Sequence, residues 1–133
     1  MTAEDRRRQR TERRRVRGRD AHAEGHRGEW VAALWLMLKG YRLIGFRIRT
    51  SFGEIDLLAR RGDVLAAVEV KRRATLEEAL DALTLEQTER LEAAARALAR
   101  RPSLRRLRLR GDIVALAPGR FPRHSPGAWK PLL

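Results

Sequence analysis

The stretch Val64-Leu65-Ala66-Ala67-Val68 contains no polar side chain, continues through Glu69 to Val70, and breaks into Lys71-Arg72-Arg73. A run of that length suits a strand, and apolar side chains at consecutive positions occupy both of its faces. Such a strand needs cover from two sides, which places it centrally in a sheet with packed layers above and below. Glu69 and Lys71 then share one face at the end of a buried strand. Charges there are costly unless they are paired or open onto a cleft. The end of this strand is therefore the first place to expect a site.

The segment Gly53-Glu54-Ile55-Asp56-Leu57-Leu58-Ala59 reads as the preceding strand, joined to the central one by a turn at Gly62-Asp63. Two carboxylates, Asp56 and Glu69, and one lysine, Lys71, are thereby brought to one region. Hard cations such as Mg²⁺ take carboxylate and carbonyl oxygens and keep several waters, which leaves room for a substrate phosphate. The lysine is informative, because among 30 basic residues only Lys39, Lys71 and Lys130 are not arginine. An ammonium is compact and its pKa moves on desolvation, whereas a guanidinium stays protonated. The competing reading is an exposed Glu69–Lys71 ion pair that ends the strand and contributes little.

Trp30, Val31, Leu34, Leu36, Met37 and Leu38 form an apolar stripe that predicts an amphipathic helix after Gly28, ended by Gly40. Glu29 would lie in its first turn, where a carboxylate favours the positive end of the helix dipole. Tyr41 to Arg49 alternates loosely and predicts a first strand, with Gly53 suited to a bend. Thr75 with Glu78 and Thr84 with Gln87 have capping-box spacing, the second before a helix over residues 85–100 whose buried stripe is Leu91, Ala94, Ala95 and Leu98. Residues 107–116 read as a last strand with Arg108 and Arg110 on one face, able to track a DNA backbone or to blunt a sheet edge. Three regions follow: a basic, disordered arm over residues 1–24, an α/β domain over 25–117, and an irregular tail over 118–133 in which Trp129 packs over the sheet or on a neighbouring chain. His22, His26 and His124 gain no role from the sequence.

A net charge of +13 makes a polyanion the default partner and an anionic membrane the runner-up. The first 24 residues carry nine arginines and five acids, so most of the charge stays with the remainder. The absence of cysteine excludes disulfides, zinc–thiolate sites and thiol catalysis. No apolar run approaches the roughly 20 residues that cross a bilayer, and no apolar segment follows the charged N-terminus. A cytoplasmic protein without membrane association is the expectation. There is no internal repeat and no glycine-rich nucleotide loop, which argues against an ATP-driven enzyme.

The ordered set Gly28-Glu29, Lys39-Gly40-Tyr41, Arg47 and Arg49, Gly53-Glu54-Ile55-Asp56, Val68-Glu69-Val70-Lys71-Arg72-Arg73, Thr84 to Leu91, Asp112-Ile113-Val114 and Pro122-Arg123-His124 resembles the YraN family of bacterial proteins. Its members are usually described as endonucleases on prediction. The family looks like a branch of the restriction-endonuclease-like superfamily, with a mixed central sheet flanked by helices and an acidic residue followed by (D/E)-x-K. The resemblance implies Asp56 and Glu69 as ligands of Mg or Mn, with the Val70 carbonyl as a third. It implies that Lys71 activates the attacking water, that Glu29 reaches the metal through water, and that Gln87 faces the site. Arg47, Arg49, Arg72 and Arg73 are the nucleic-acid-binding candidates.

Glu54 is open between a second acid in the site, a partner for Arg47 or Arg49, and a residue turned away by a bulge. Gly111 departs from the family, which commonly has an aromatic residue before the aspartate. The expected function is metal-dependent hydrolysis of phosphodiester bonds in DNA, with branched or repair intermediates as substrates to test. The alternative is a non-catalytic nucleic-acid-binding protein with a nuclease fold that assists DNA repair or recombination. A basic ribosome- or membrane-associated protein is a third reading. A homodimer and repair or recombination proteins are further partners to test.

Overall fold

The computed structural model describes residues 2–6 and 28–132. The arm expected over residues 1–24 lies almost wholly outside the described residues, as do His22 and His26. After one helical turn at residues 3–6, helix α1 covers residues 28–38 of the described chain, with Glu29 already helical. Three antiparallel strands follow: β1 (Arg42–Thr50), β2 (Gly53–Arg61) and β3 (Val64–Arg72). Helices α2 (Leu76–Leu80) and α3 (Leu85–Ala99) carry the chain over one face to β4 (Arg108–Leu116), which pairs parallel to β3. Strand β5 (Arg123–Lys130) closes the sheet antiparallel to β4. The spatial order is β1-β2-β3-β4-β5, a mixed sheet with β3 at its centre.

Burial of β3 on both faces follows its sequence. Leu65 and Ala67 pack with Leu91, Ala94, Ala95 and Leu98 of α3, the stripe that the periodicity marks. Ala66 and Val68 pack on the opposite face with Ala32, Ala33 and Leu36 of α1. Both expected caps form: Thr75 Oγ1 accepts from the Glu78 N–H, and Thr84 and Gln87 make a reciprocal capping box. Satisfying orphan N–H groups in this way starts each helix where its cap stands.

Three expectations need correction. The side of α1 that meets the sheet is formed by Ala32, Ala33 and Leu36, while Trp30, Val31, Leu34, Met37 and Leu38 remain exposed. Helix backbone approaches a sheet closely where its side chains are small, so the alanines win the core side over the bulkier residues. The tail is not irregular throughout, because residues 123–130 form β5 despite Pro126 and Gly127. A proline is tolerated on an edge strand, where its missing N–H costs no ladder bond. Arg108 and Arg110 do share one face of β4, but that strand is not an edge, and Arg110 turns into the protein to meet Asp112 while Arg108 pairs with Asp63 at 2.9 Å.

Trp129 explains the departure at Gly111. Its ring is buried and its Nε1–H donates to the Asp112 carbonyl at 2.7 Å. A Cβ on Gly111 would fall 2.4 Å from the indole, so β5 supplies an aromatic ring that only a glycine leaves room for.

Candidate active site

Pairing between β2 and β3 runs from Arg61↔Val64 to Leu57↔Val68 and stops there. Asp56 is the first residue of β2 beyond the ladder. Freed from a cross-strand partner, its Oδ2 accepts the Val70 N–H at 2.8 Å, which fixes the carboxylate against the end of β3. Glu69 and Lys71 leave β3 on the α3 side, with Lys71 Nζ 3.5 Å from Glu69 Oε1 and both side chains largely covered. The Asp56 and Glu69 carboxyls lie within hydrogen-bonding reach of each other. The structure thus brings together the three residues on which the sequence reading centres.

Opposite this point β1 is distorted. Arg47, between the pairs Phe46↔Leu57 and Ile48↔Ile55, has φ 43°. A left-handed backbone at a non-glycine residue costs on the order of 1–3 kcal/mol and is typical of functional regions. Its guanidinium Nε lies 3.2 Å from Glu29 Oε2, which links α1 to the site region. Glu54 meets Arg49 at 3.7 Å across the hairpin, the structural option among its readings, and also lines the cleft beside Glu69.

The electrostatics are those of a carboxylate cluster short of positive charge. Burial, then repulsion from Asp56, pushes the Glu69 carboxyl up to about 8, and the Lys71 ammonium only partly opposes this. Burial also raises Asp56, against the Val70 hydrogen bond that favours its ionised form. Glu29 is raised too, first by burial and next by Asp56, although Arg47 pulls it down. Desolvated like charges favour a shared proton or an added cation.

That donor chemistry fits a hard divalent ion: two carboxylates with a neighbouring backbone carbonyl suit Mg²⁺, which binds through one or two carboxylates and keeps its waters for substrate. No group of three or more His, Cys, Asp or Glu side chains is gathered in metal-binding geometry among the described residues. A metal here would therefore rest on Asp56, Glu69 and the Val70 carbonyl.

A cleft of about 210 Å³ opens beside Glu69, bounded by Phe52, Gly53 and Glu54 of the hairpin and by Gln87, Arg90 and Leu91 of α3. Gln87 makes its cap, the Oε1 accepting the Thr84 N–H at 3.1 Å, and it also lines the cleft. Arg72 and Arg73 are exposed just past the site, and the Arg73 guanidinium bonds the Arg72 carbonyl at 2.7 Å. Phe52 and Arg90 were not named as site residues, although Arg90 falls within the Thr84 to Leu91 stretch of the family resemblance. No motif singles them out, because a turn residue and a helix residue meet only through the tertiary fold.

Sequence reasoning also missed a second charged cluster, on the α1 side of β4. Asp112 is wholly buried and bonds both guanidinium nitrogens of Arg110, at 2.7 and 2.8 Å, the Gly127 N–H at 3.0 Å and His124 Nε2 at 2.7 Å. Arg110 also donates to the Tyr41 hydroxyl, and Lys39 Nζ meets His124 Nδ1. An ammonium can only donate, so Nδ1 accepts and Nε2 carries the proton given to Asp112.

A mixed sheet with helices on both faces defines a restriction-endonuclease-like α/β core, and an acid, a second acid and a lysine converge on it from β2 and β3. The chain belongs to the UPF0102 family, described as "Uncharacterised protein family UPF0102" and matched over residues 28–116; this is the YraN family whose motifs it carries. A UPF0102 protein of Caulobacter vibrioides (strain NA1000 / CB15N) is 59% identical over 117 residues, covering 87% of this chain and 94% of the relative. Those of Caulobacter sp. (strain K31) and Chelativorans sp. (strain BNC1) are 56% and 53% identical, over 86% and 78% of this chain and 83% and 85% of theirs. No helix among the described residues is long and apolar enough to cross a membrane.

Proposed function

We propose that this protein is a metal-dependent endonuclease that hydrolyses phosphodiester bonds in DNA. The observation that carries the reading is the pair of mutually repelling, desolvated carboxyls of Asp56 and Glu69 beside Lys71, at the edge of a cleft. Asp56, Glu69 and the Val70 carbonyl would hold Mg²⁺ or Mn²⁺, which when bound polarises a phosphoryl oxygen and lowers the pKa of its water.

The chain's own groups do the rest. The Val70 N–H holds the Asp56 carboxylate in one orientation. Lys71, anchored on Glu69, places positive charge where phosphate charge develops. Arg47 holds Glu29 near the carboxylate pair. Gln87 and Arg90 offer donors at the cleft wall, and Arg49, Arg72 and Arg73 present exposed charge for the phosphate backbone. DNA is the first partner in this reading. A second copy of the chain is the next, and analytical ultracentrifugation tests it.

The test of function is a gel cleavage assay on single-stranded, duplex, flap and four-way-junction DNA with Mg²⁺, Mn²⁺ or EDTA. Cleavage should require metal and disappear in Asp56→Ala and Lys71→Ala while DNA binding persists. Wild-type rates in Asp56→Ala at saturating Mg²⁺ would sink the proposal. Metal-independent binding with no cleavage in any condition would favour a non-catalytic repair or recombination factor.

A further inference from the structure

Phe52 is out of place for a large aromatic residue. It sits at the tip of the β1–β2 hairpin, more than half exposed, and belongs to none of the buried clusters. The turn that displays it is well fixed: Thr50 Oγ1 accepts the Phe52 N–H at 3.1 Å and donates to the Gly53 carbonyl at 2.8 Å. Gly53 has φ 149°, a conformation that side chains disfavour. A rigid turn holding an apolar ring in water gains nothing in stability from the ring, so the ring's use lies in what it meets.

Two hollows adjoin the ring. One is the cleft of about 210 Å³ whose far side reaches Glu69, with Leu91 as a second apolar wall and Gln87 and Arg90 beside it. The other, about 310 Å³, runs along α3 and is lined by Glu89, Glu92, Arg96 and Arg100. Glu92 already engages Arg96 at 3.9 Å, and none of Asp56, Glu69 and Lys71 lines this second hollow, whereas Glu54 and Glu69 line the first. In the first, an aromatic face, an aliphatic wall, an amide and a guanidinium surround a space beside the candidate active site. Those are the groups that hold an extruded base: stacking on its π-face, and hydrogen bonds to its edge. Arg49, 89% exposed on the same hairpin, adds charge for the adjoining backbone.

We propose that Phe52 and the cleft behind it form a stacking subsite for one unpaired nucleobase, so that the chain selects single-stranded or branched DNA over continuous duplex. This rests on the nuclease reading for the identity of the polymer. A base inside a duplex is already stacked and paired, and entering the cleft would cost a few kcal/mol of unstacking; a base in a flap, gap or single strand enters without that cost.

The test is fluorescence anisotropy of the full chain with labelled single-stranded, flap and duplex DNA, in EDTA and in Ca²⁺, alongside a single strand carrying a fluorescent aminopurine base. Phe52→Ala should weaken single-strand and flap binding roughly five- to a hundredfold, the range of one lost base–aromatic stack, and leave duplex binding unchanged. Phe52→Trp should restore binding and quench the aminopurine. Circular dichroism melting should match the unaltered chain in both variants, because the ring is in no core cluster. Equal loss on single strand and duplex, or loss on neither, overturns the subsite. Cleavage is scored separately: a Phe52-dependent strand preference without cleavage in any metal retains the subsite and sinks the nuclease reading. Metal-dependent cleavage with unchanged strand preference does the reverse, and no DNA binding by the unaltered chain overturns both.

Discussion

Two carboxylate clusters sit on adjacent strands and have opposite fates. On β4, Asp112 is fully buried, yet Arg110, His124 and the Gly127 N–H surround it. Burial pushes its pKa up, but the hydrogen bonds from His124, Arg110 and Gly127 outweigh that and hold the carboxyl below its ordinary range. On β3, Glu69 is less deeply placed and has one ammonium at 3.5 Å, with Asp56 as a competing carboxyl, and its pKa rises to about 8. The first cluster is saturated by the chain itself and ties β4, β5 and the connection between α1 and β1 together. The second is left short of positive charge where it opens to a cleft. Depth of burial does not separate the structural cluster from the candidate site; completeness of compensation does.

The strongest way to break this contrast is to remove the central acid of the saturated cluster. Asp112→Ala leaves the Arg110 guanidinium without its carboxylate partner, and losing one member of a buried pair costs about 3–5 kcal/mol. Urea denaturation should show the midpoint falling steeply, with failure to fold as the extreme; a midpoint within error of wild type would mean that the network is not structural. Gly111→Ala comes next, because its Cβ would meet the Trp129 ring at 2.4 Å and force apart the contact that closes β5. Overpacking of this kind costs about 1–3 kcal/mol, readable as a lower midpoint and a shift in Trp fluorescence.

The under-compensated cluster should respond with the opposite sign. Glu69 is raised above its unfolded value, so its contribution is fully present below the ordinary carboxylate pKa and is lost as pH rises through about 8. Without metal, stability should therefore decline between about pH 5 and 8, and Glu69→Gln should flatten the decline and gain on the order of 1 kcal/mol at the alkaline end. Asp112 behaves conversely: its contribution is present above the ordinary carboxylate pKa and fades as pH falls below it. Mg²⁺ should stabilise the chain increasingly as pH rises, since it competes with the proton on Glu69. Thermal melts across pH, with EDTA or Mg²⁺, separate the two clusters; the same slope in the wild type and Glu69→Gln would remove the basis for the contrast.

Smallest is Thr84→Ala, which removes the exposed cap of α3 at a cost of about 0.5–1 kcal/mol. The change leaves the Gln87 backbone N–H without its Thr84 Oγ1 acceptor while the Gln87 side chain keeps the backbone N–H of residue 84, and so asks whether the complete cap positions the cleft wall. Cleavage falling more than the melting temperature predicts would show that it does.

Much of this was legible from the chain. The apolar run of β3 forces a central strand, the Thr75 and Thr84 caps start their helices, and alternation puts Glu69 and Lys71 on one face, because each follows from local geometry and backbone hydrogen bonding. Three things required the tertiary structure. The core side of α1 was set by how closely alanine lets a helix approach the sheet, a property of the pair of surfaces. Strand β5 formed in a segment with Pro and Gly because Trp129 had a glycine-shaped space on β4 to fill. The surroundings of Asp112, His124 and Phe52 were set by which residues distant in sequence became neighbours. Local sequence dictates periodicity and caps, whereas desolvation and charge compensation depend on everything packed around a group and exist only once the chain has folded.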